Sequence, residues 1–151
     1  MKKFLFTFVL LEYSVGICKG DIMLFLDFNS KEDRMKHGSS AFIEMQFCRL
    51  PTRIVAKDIV AVKNINHWQN DSLYINDQNI FYQEYSHVFN CGIYNNLKSG
   101  VVDIYGINYY APSFIDSIIE ILCEKKPVDY ESLVEWLNKA KQYNGFYILG
   151  L

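Results

Sequence analysis

The chain has 151 residues, of which 50% are hydrophobic, 21% are charged and 16% are aromatic, and its formal net charge is −2. This length predicts a single domain over residues 1–151, in which folding should bury about 70% of the unfolded surface. The composition is typical of a globular protein and excludes a disordered chain. The slightly acidic balance, without a block of like charge, disfavours direct nucleic-acid binding.

The N-terminal segment predicts two strands, Phe4–Tyr13 and Ile17–Phe28, which would form a hairpin. The start MKKFLFTFVLL also has the basic and apolar regions of a signal peptide. The apolar run is short and no small-residue cleavage site follows it, so we interpret it as a central strand. It is also too short to cross a membrane.

The next segment, Asn29–Ser39, is the most charged part of the chain and predicts an exposed loop. From Ala41 to Cys48 apolar residues alternate with a set that includes Glu44 and Gln46, which predicts a strand with one core face and one mostly polar face. Residues Arg53–Val62 fit either a further strand or a short helix.

The middle of the chain predicts a loop from Asn64 to Asp71, a short strand at Leu73–Ile75 and a turn at Asn76-Asp77. A helical spacing of apolar residues follows between Ile80 and Phe89.

The last fifty residues carry the clearest pattern. Val101–Tyr110 predicts a strand, and Pro112 stands where a helix begins. Asp129 predicts the N-cap of a second helix with one apolar face, and Phe146–Leu149 predicts a buried strand. The expected apolar face consists of Leu133, Trp136, Leu137 and Ala140. The predicted fold is α+β, with a mostly antiparallel twisted sheet and with helices concentrated in the C-terminal half.

Known catalytic motifs are missing: we find no phosphate-binding loop, no dinucleotide fingerprint, no nucleophile elbow and no zinc-protease motif. The four cysteines lie thirty or more residues apart, which predicts small buried thiols in a reducing cytoplasm. His87 and Cys91 would share a helix face, but they are only half of a metal site. We therefore expect no catalytic residue, no metal and no cofactor. Asp103 predicts a structural hydrogen bond or, second, a partner contact.

The stretch from Trp68 to Glu84 combines aromatic residues with acids and has no Lys or Arg. This composition is typical of a surface that captures a basic protein, although a loop followed by an ordinary amphipathic helix would have it too. The predicted contact residues are Trp68, Asp71, Tyr74, Asp77, Tyr82 and Glu84.

The second half of the chain resembles immunity proteins of bacterial toxin–immunity systems, including those of contact-dependent growth inhibition. The resemblance rests on SLYINDQNIFYQEY, VVDIYGINYYAPS, ESLVEWLNKA and YNGFYILG. It implies a small, non-enzymatic cytoplasmic protein that binds one cognate toxin, commonly a nuclease, and blocks the active site of that toxin. Contact residues differ between pairs in such families, so the resemblance assigns no site residue.

Two other functions remain open at this stage. A small hydrolase or transferase would use a dispersed site, with His67 and Asp71 as its candidates. A nucleic-acid-binding sheet would stack bases on Tyr105, Tyr109 and Tyr110.

Overall fold

A computed structural model describes residues 22–37 and 42–150, so the predicted strand Phe4–Tyr13 and Cys18 lie outside the described residues. The described part is α+β: its strands form one sheet in the order β1-β3-β2-β7-β6-β4-β5, in which every neighbouring pair is antiparallel. The strands are β1 (Phe25–Leu26), β2 (Ile43–Phe47), β3 (Leu73–Ile75), β4 (Gly92–Tyr94), β5 (Ser99–Gly100), β6 (Ile107–Tyr110) and β7 (Phe146–Leu149). The helices are α1 (Lys31–Lys36), α2 (Ala56–Ile59), α3 (Gln78–Tyr85), α4 (Ile115–Lys125) and α5 (Tyr130–Ala140), and the longer ones lie in the C-terminal half, as predicted.

Strand β7, the last one, lies in the middle of the sheet. Phe146 is paired with Phe47 of β2 on one side and with Tyr110 of β6 on the other. All four residues of β7 are buried, which confirms the prediction of a buried strand. Successive side chains of a strand point to opposite faces, so β7 contributes to the core on both sides of the sheet.

The larger core lies between one face of the sheet and helices α3, α4 and α5. Helix α5 buries the four residues of its predicted apolar face, which are Leu133, Trp136, Leu137 and Ala140. The ring of Phe47 stacks on Trp136 with centroids 4.3 Å apart and on Tyr143 at 4.5 Å. The helical spacing therefore predicted the buried surface of α5 correctly, because an amphipathic helix buries its apolar stripe.

A smaller core covers the opposite face of the sheet. Tyr109, Tyr147 and Leu149 pack there against Ile59 and Val60 of the segment that contains α2. The hydroxyl of Tyr147 donates a hydrogen bond to the carbonyl of Ile59 at 2.6 Å. The segment Arg53–Val62 contains the short helix α2 and no strand. It covers the second face of the sheet.

Three local predictions are corrected by the structure. Residues 31–36 form helix α1 and not a loop, because Ser30 caps the helix by accepting the N–H of Asp33 at 3.1 Å. Strand β6 begins only at Ile107, because the chain turns just before it, where the N–H of Gly106 donates to the carbonyl of Asp103 at 3.2 Å. Of the three cysteines in the described residues, Cys123 is exposed and not buried.

Asp129 occupies the N-cap position of α5, as predicted, with a left-handed backbone of φ +57°. Its Oδ1 accepts the hydroxyl of Ser132 in the first turn at 2.7 Å, but its side chain caps no backbone N–H of α5. Instead Oδ2 accepts the backbone N–H groups of Leu24 at 3.0 Å and Phe25 at 2.9 Å. Asp129 therefore ties the short strand β1 to the connection between α4 and α5.

Candidate partner-binding surface

A buried carboxylate, Glu44 of β2, lies under the loop around Trp68. Glu44 is only 2% exposed. Its Oε2 accepts the backbone N–H of Trp68 at 2.8 Å, while Oε1 accepts the N–H of Gln69 at 3.0 Å and the hydroxyl of Ser72 at 2.7 Å. Hydrogen bonds to an ionised acceptor are about twice as strong as neutral ones, so these donors offset the cost of burying the charge.

The loop has a strained backbone at Trp68. The φ angle of Trp68 is +71°, a left-handed conformation that costs a bulky residue about 1–3 kcal/mol. Gln46 supports the loop as well, because its Nε2 donates to the carbonyl of Asn66 at 2.5 Å. The polar face of β2 is therefore buried under this loop, and the loop shape is fixed by the strand beneath it.

Asp71 lies near the end of the loop, where its carboxylate forms an ion pair with Arg49. Both side chains are more than a third exposed. The carbonyl of Asp71 accepts the indole N–H of Trp136 at 2.9 Å, which links the loop to α5. Asp71 is accessible to a partner, but a basic partner would have to compete with Arg49 for its charge.

Tyr74 is removed from the candidate contact set, because its side chain is only 1% exposed. Its hydroxyl donates to the carbonyl of Gln69 at 3.1 Å, and the guanidinium of Arg34 lies 5.1 Å from its ring centroid. Burial and the nearby charge of Glu44 raise the pKa of Tyr74 above its ordinary value. Its side chain contacts the loop at Gln69 and the guanidinium of Arg34. Sequence alone did not reveal this burial, because the short strand pattern of Leu73–Ile75 does not show that all three residues of β3 are covered.

Helix α3 carries the remaining three predicted residues. Asp77 is its N-cap: Oδ1 accepts the N–H groups of Asn79 at 2.9 Å and Ile80 at 3.0 Å. Tyr82 is 46% exposed, and Glu84 is half-buried. Asp77 thus has a structural task, whereas Tyr82 offers a large ring to the solvent.

Tyr82 lines an open cleft of about 580 Å³ between α3 and the turn at residues 102–105. From α3 come Asn79, Tyr82 and Gln83, which share one helix face because they are three and four residues apart. From the turn come Asp103, which is exposed, and Tyr105, which is 68% exposed. We call this feature the tyrosine cleft.

The turn that forms one wall of the tyrosine cleft is fixed by side-chain hydrogen bonds. Oδ1 of Asp103 accepts the N–H of Tyr105 at 2.9 Å. Asn108, which is fully buried, exchanges two hydrogen bonds of 2.8 Å with the backbone of Asp103 and donates a third to the carbonyl of Ile148 at 2.9 Å. This finding confirms the structural hydrogen bond predicted for Asp103, and it leaves the second carboxylate oxygen available.

A second cleft, of about 410 Å³, lies between the loop and α5. Asp27, Asp71, Glu135 and Lys139 all line it. Three carboxylates and one ammonium group make it acidic on balance, although Arg49 already pairs with one of the three.

The structure therefore divides the six predicted residues between two places. Trp68 and Asp71 belong to the Glu44-supported loop, with Tyr74 buried below it, while Asp77, Tyr82 and Glu84 belong to α3. Sequence analysis did not place Asp103 and Tyr105 beside Tyr82, since they are about twenty residues apart and no local periodicity joins them. It also gave Glu44 no role of its own.

The structure also shows where the residues of the two alternative functions lie. Asp71 pairs with Arg49, His67 is exposed, and no hydrogen bond joins His67 to Asp71 in residues 22–37 and 42–150. Of the three proposed base-stacking rings, Tyr109 and Tyr110 are buried at 4% and 0% exposure, so they do not form a stacking platform with Tyr105.

Comparisons with protein-family models, with curated proteins and with solved structures find no match for this chain. Within the part of the chain that the structure describes, no group of three His, Cys, Asp or Glu side chains is arranged to hold a metal ion. None of the described helices combines the length and the apolarity needed to span a bilayer.

Proposed function

We propose that this chain is an inhibitory binding protein of the immunity type. It docks an acidic, aromatic surface on a basic toxin domain of the nuclease class in the cytoplasm, and it neutralises the toxin by covering its active site. No covalent chemistry on the part of this chain is needed for that task.

The observation that carries the proposal is the uneven charge along the sequence, in which an acidic segment also presents exposed aromatic rings. Residues 68–110 contain four acids (Asp71, Asp77, Glu84 and Asp103) and one base, Lys98, for a net charge of −3. Residues 49–67 contain four bases and one acid, for a net charge of +3. The acidic region also presents the exposed rings of Tyr82 and Tyr105. Charges of one sign beside exposed aromatic anchors favour a protein partner of the opposite sign.

A tight inhibitory complex would bury about 1,600 Å² in total, with a few aromatic or Arg anchors supplying most of the affinity. The Glu44-supported loop and the turn at residues 102–105 are both held by hydrogen bonds to a buried side chain, Glu44 in the loop and Asn108 in the turn. Such preformed elements reduce the entropic cost of ordering the surface on binding. The acidic charges have a separate effect, because they accelerate association with a basic partner and select against an acidic one.

The direct test is co-expression with the product of a toxin-type gene beside its own. We expect cell growth to be restored and the two purified proteins to form a complex whose dissociation constant rises steeply with NaCl concentration. The matched control is Glu124→Lys, an exposed change on α4 outside the acidic region, which should still protect cells. If the wild-type chain gives neither protection nor a complex, the proposal is wrong.

A further inference from the structure

We propose that the tyrosine cleft is a specificity pocket that captures a single Arg or Lys side chain of the partner. This inference rests on the proposed function and names the chemistry of one contact within it. It concerns Tyr82, Asp103 and Tyr105, and it does not involve the loop around Trp68.

The tyrosine cleft presents two exposed aromatic rings. Tyr105 is 68% and Tyr82 is 46% exposed, although most large aromatic residues in the described part of the chain are buried. The aromatic area of these two tyrosines remains in contact with water, which is unfavourable in free energy. A partner group that covers these rings would regain this free energy.

The tyrosine cleft also carries a negative charge. The lining of the cleft includes the carboxylate of Asp103 and, among the described residues, neither Lys nor Arg. Oδ1 of Asp103 accepts the N–H of Tyr105, and the exposed Asp103 is one of the residues that line the cleft. A carboxylate held in place beside two aromatic rings suits a cation, because the face of an aromatic ring attracts positive charge.

Two amide side chains also line the tyrosine cleft. Asn79 and Gln83 project from the same face of α3 as Tyr82 and can accept hydrogen bonds through their amide oxygens. Guanidinium has five N–H donors in a plane and ammonium has three, so either group can satisfy Asp103 and an amide together. The carboxylate would repel an acidic side chain, and an apolar side chain would remove water from it without supplying a hydrogen bond in return.

The cleft is also preformed. Asn108 is fully buried and holds the backbone of Asp103 from below, and α3 begins at the cap formed by Asp77. The two walls of the cleft therefore lose little conformational entropy when a side chain binds. This low cost favours binding of a single side chain.

The experiment uses the full-length chain and two short probes, the acetylated and amidated peptides Gly-Arg-Gly and Gly-citrulline-Gly. Citrulline has nearly the shape of Arg but no charge. We expect NMR amide shifts on titration with the Arg peptide that centre on Gln83, Ile104 and Tyr105, with binding at least about fivefold weaker for the citrulline peptide. Asp103→Asn keeps the acceptor for the N–H of Tyr105, and Tyr105→Leu removes only an exposed ring. Each change should weaken binding of the Arg peptide by about two- to fivefold, as expected for a single exposed cation–π or charged contact.

The control variant is Glu124→Gln, which removes the same charge from an exposed position on α4 and should leave peptide binding unchanged. Equal shifts with both peptides, or shifts centred away from the cleft, would overturn the inference, as would Asp103→Asn and Tyr105→Leu variants that fold normally and bind as wild type. Growth protection decides the proposed function separately. A toxin neutralised equally well by wild type and by Tyr105→Leu would overturn the pocket alone. No protection by the wild-type chain would overturn the proposed function, while selective binding of the Arg peptide in the cleft would still establish the preference of the cleft for a cation.

Discussion

Replacement of Glu44 by Gln should unlock the loop around Trp68 at a measurable cost in stability. The Gln side chain can place its oxygen at the Oε1 position, where it still accepts from Gln69 and Ser72. Its amide NH₂ then faces the N–H of Trp68, which in the wild type lies 2.8 Å from Oε2. A buried N–H without an acceptor costs about 1–3 kcal/mol, and the remaining bonds lose their charge assistance. We expect Glu44→Gln to lower the free energy of unfolding by about 2–3 kcal/mol.

Urea unfolding measures the global loss, and hydrogen exchange locates it. The amides of Trp68 and Gln69 should exchange much faster in Glu44→Gln than in the wild type, while the amides of β7 should change only as far as global stability does. Glu124→Gln is the matched control, because it removes one exposed carboxylate and should stay within about 0.5 kcal/mol of wild type. An unfolding free energy for Glu44→Gln within that same margin, with both loop amides still protected, would refute the assigned role of Glu44.

Three further predictions follow from backbone conformation and burial. Gly145→Ala should destabilise the fold by at least about 2 kcal/mol in thermal unfolding, because φ is +79° and a Cβ would lie 2.1 Å from the carbonyl oxygen of Tyr110; a neutral effect would contradict this geometry. Lys126→Gly should raise stability by about 1 kcal/mol, since this residue ends α4 with φ of +48°, and a lower melting temperature would count against it. Burial raises the pKa of Tyr109 to about 12, and the charge of Cys48 acts in the same direction. The neutral phenol is favoured in the fold, so this contribution is complete below about pH 10, the unfolded pKa, and is lost as the pH rises through 12. Urea unfolding at pH 8 and above pH 10 should show that loss, and a pH-independent stability would exclude it.

The covered polar face of β2 shows where sequence reasoning stops. The alternation from Ala41 to Cys48 predicted a strand correctly, because side chains with a period of two must lie on opposite faces. It did not predict that Glu44 and Gln46 would be 2% and 4% exposed. Their cover comes from the loop at residues 66–72, whose position depends on β3 and on the contact between Asp71 and Trp136. No local pattern carries that information.

The candidate partner-binding surface was also predicted only in part from the sequence. Composition alone marked Trp68–Glu84 as acidic and aromatic, and Tyr82 is indeed exposed. Burial then removed Tyr74, and the capping of α3 gave Asp77 a structural role. The chain-distant Asp103 and Tyr105 entered the surface only because the turn before β6 lies against α3.

The sequence by itself determined the helices α4 and α5, the buried apolar face of α5 and the burial of strand β7. These features depend on local periodicity, which the hydrophobic effect converts directly into burial. Only the tertiary structure decided what covers the second face of the sheet, which carboxylate is buried and which tyrosines share a cleft. Those outcomes depend on which elements pack together across the sheet, and the side-chain pattern of any one segment is compatible with several such partners.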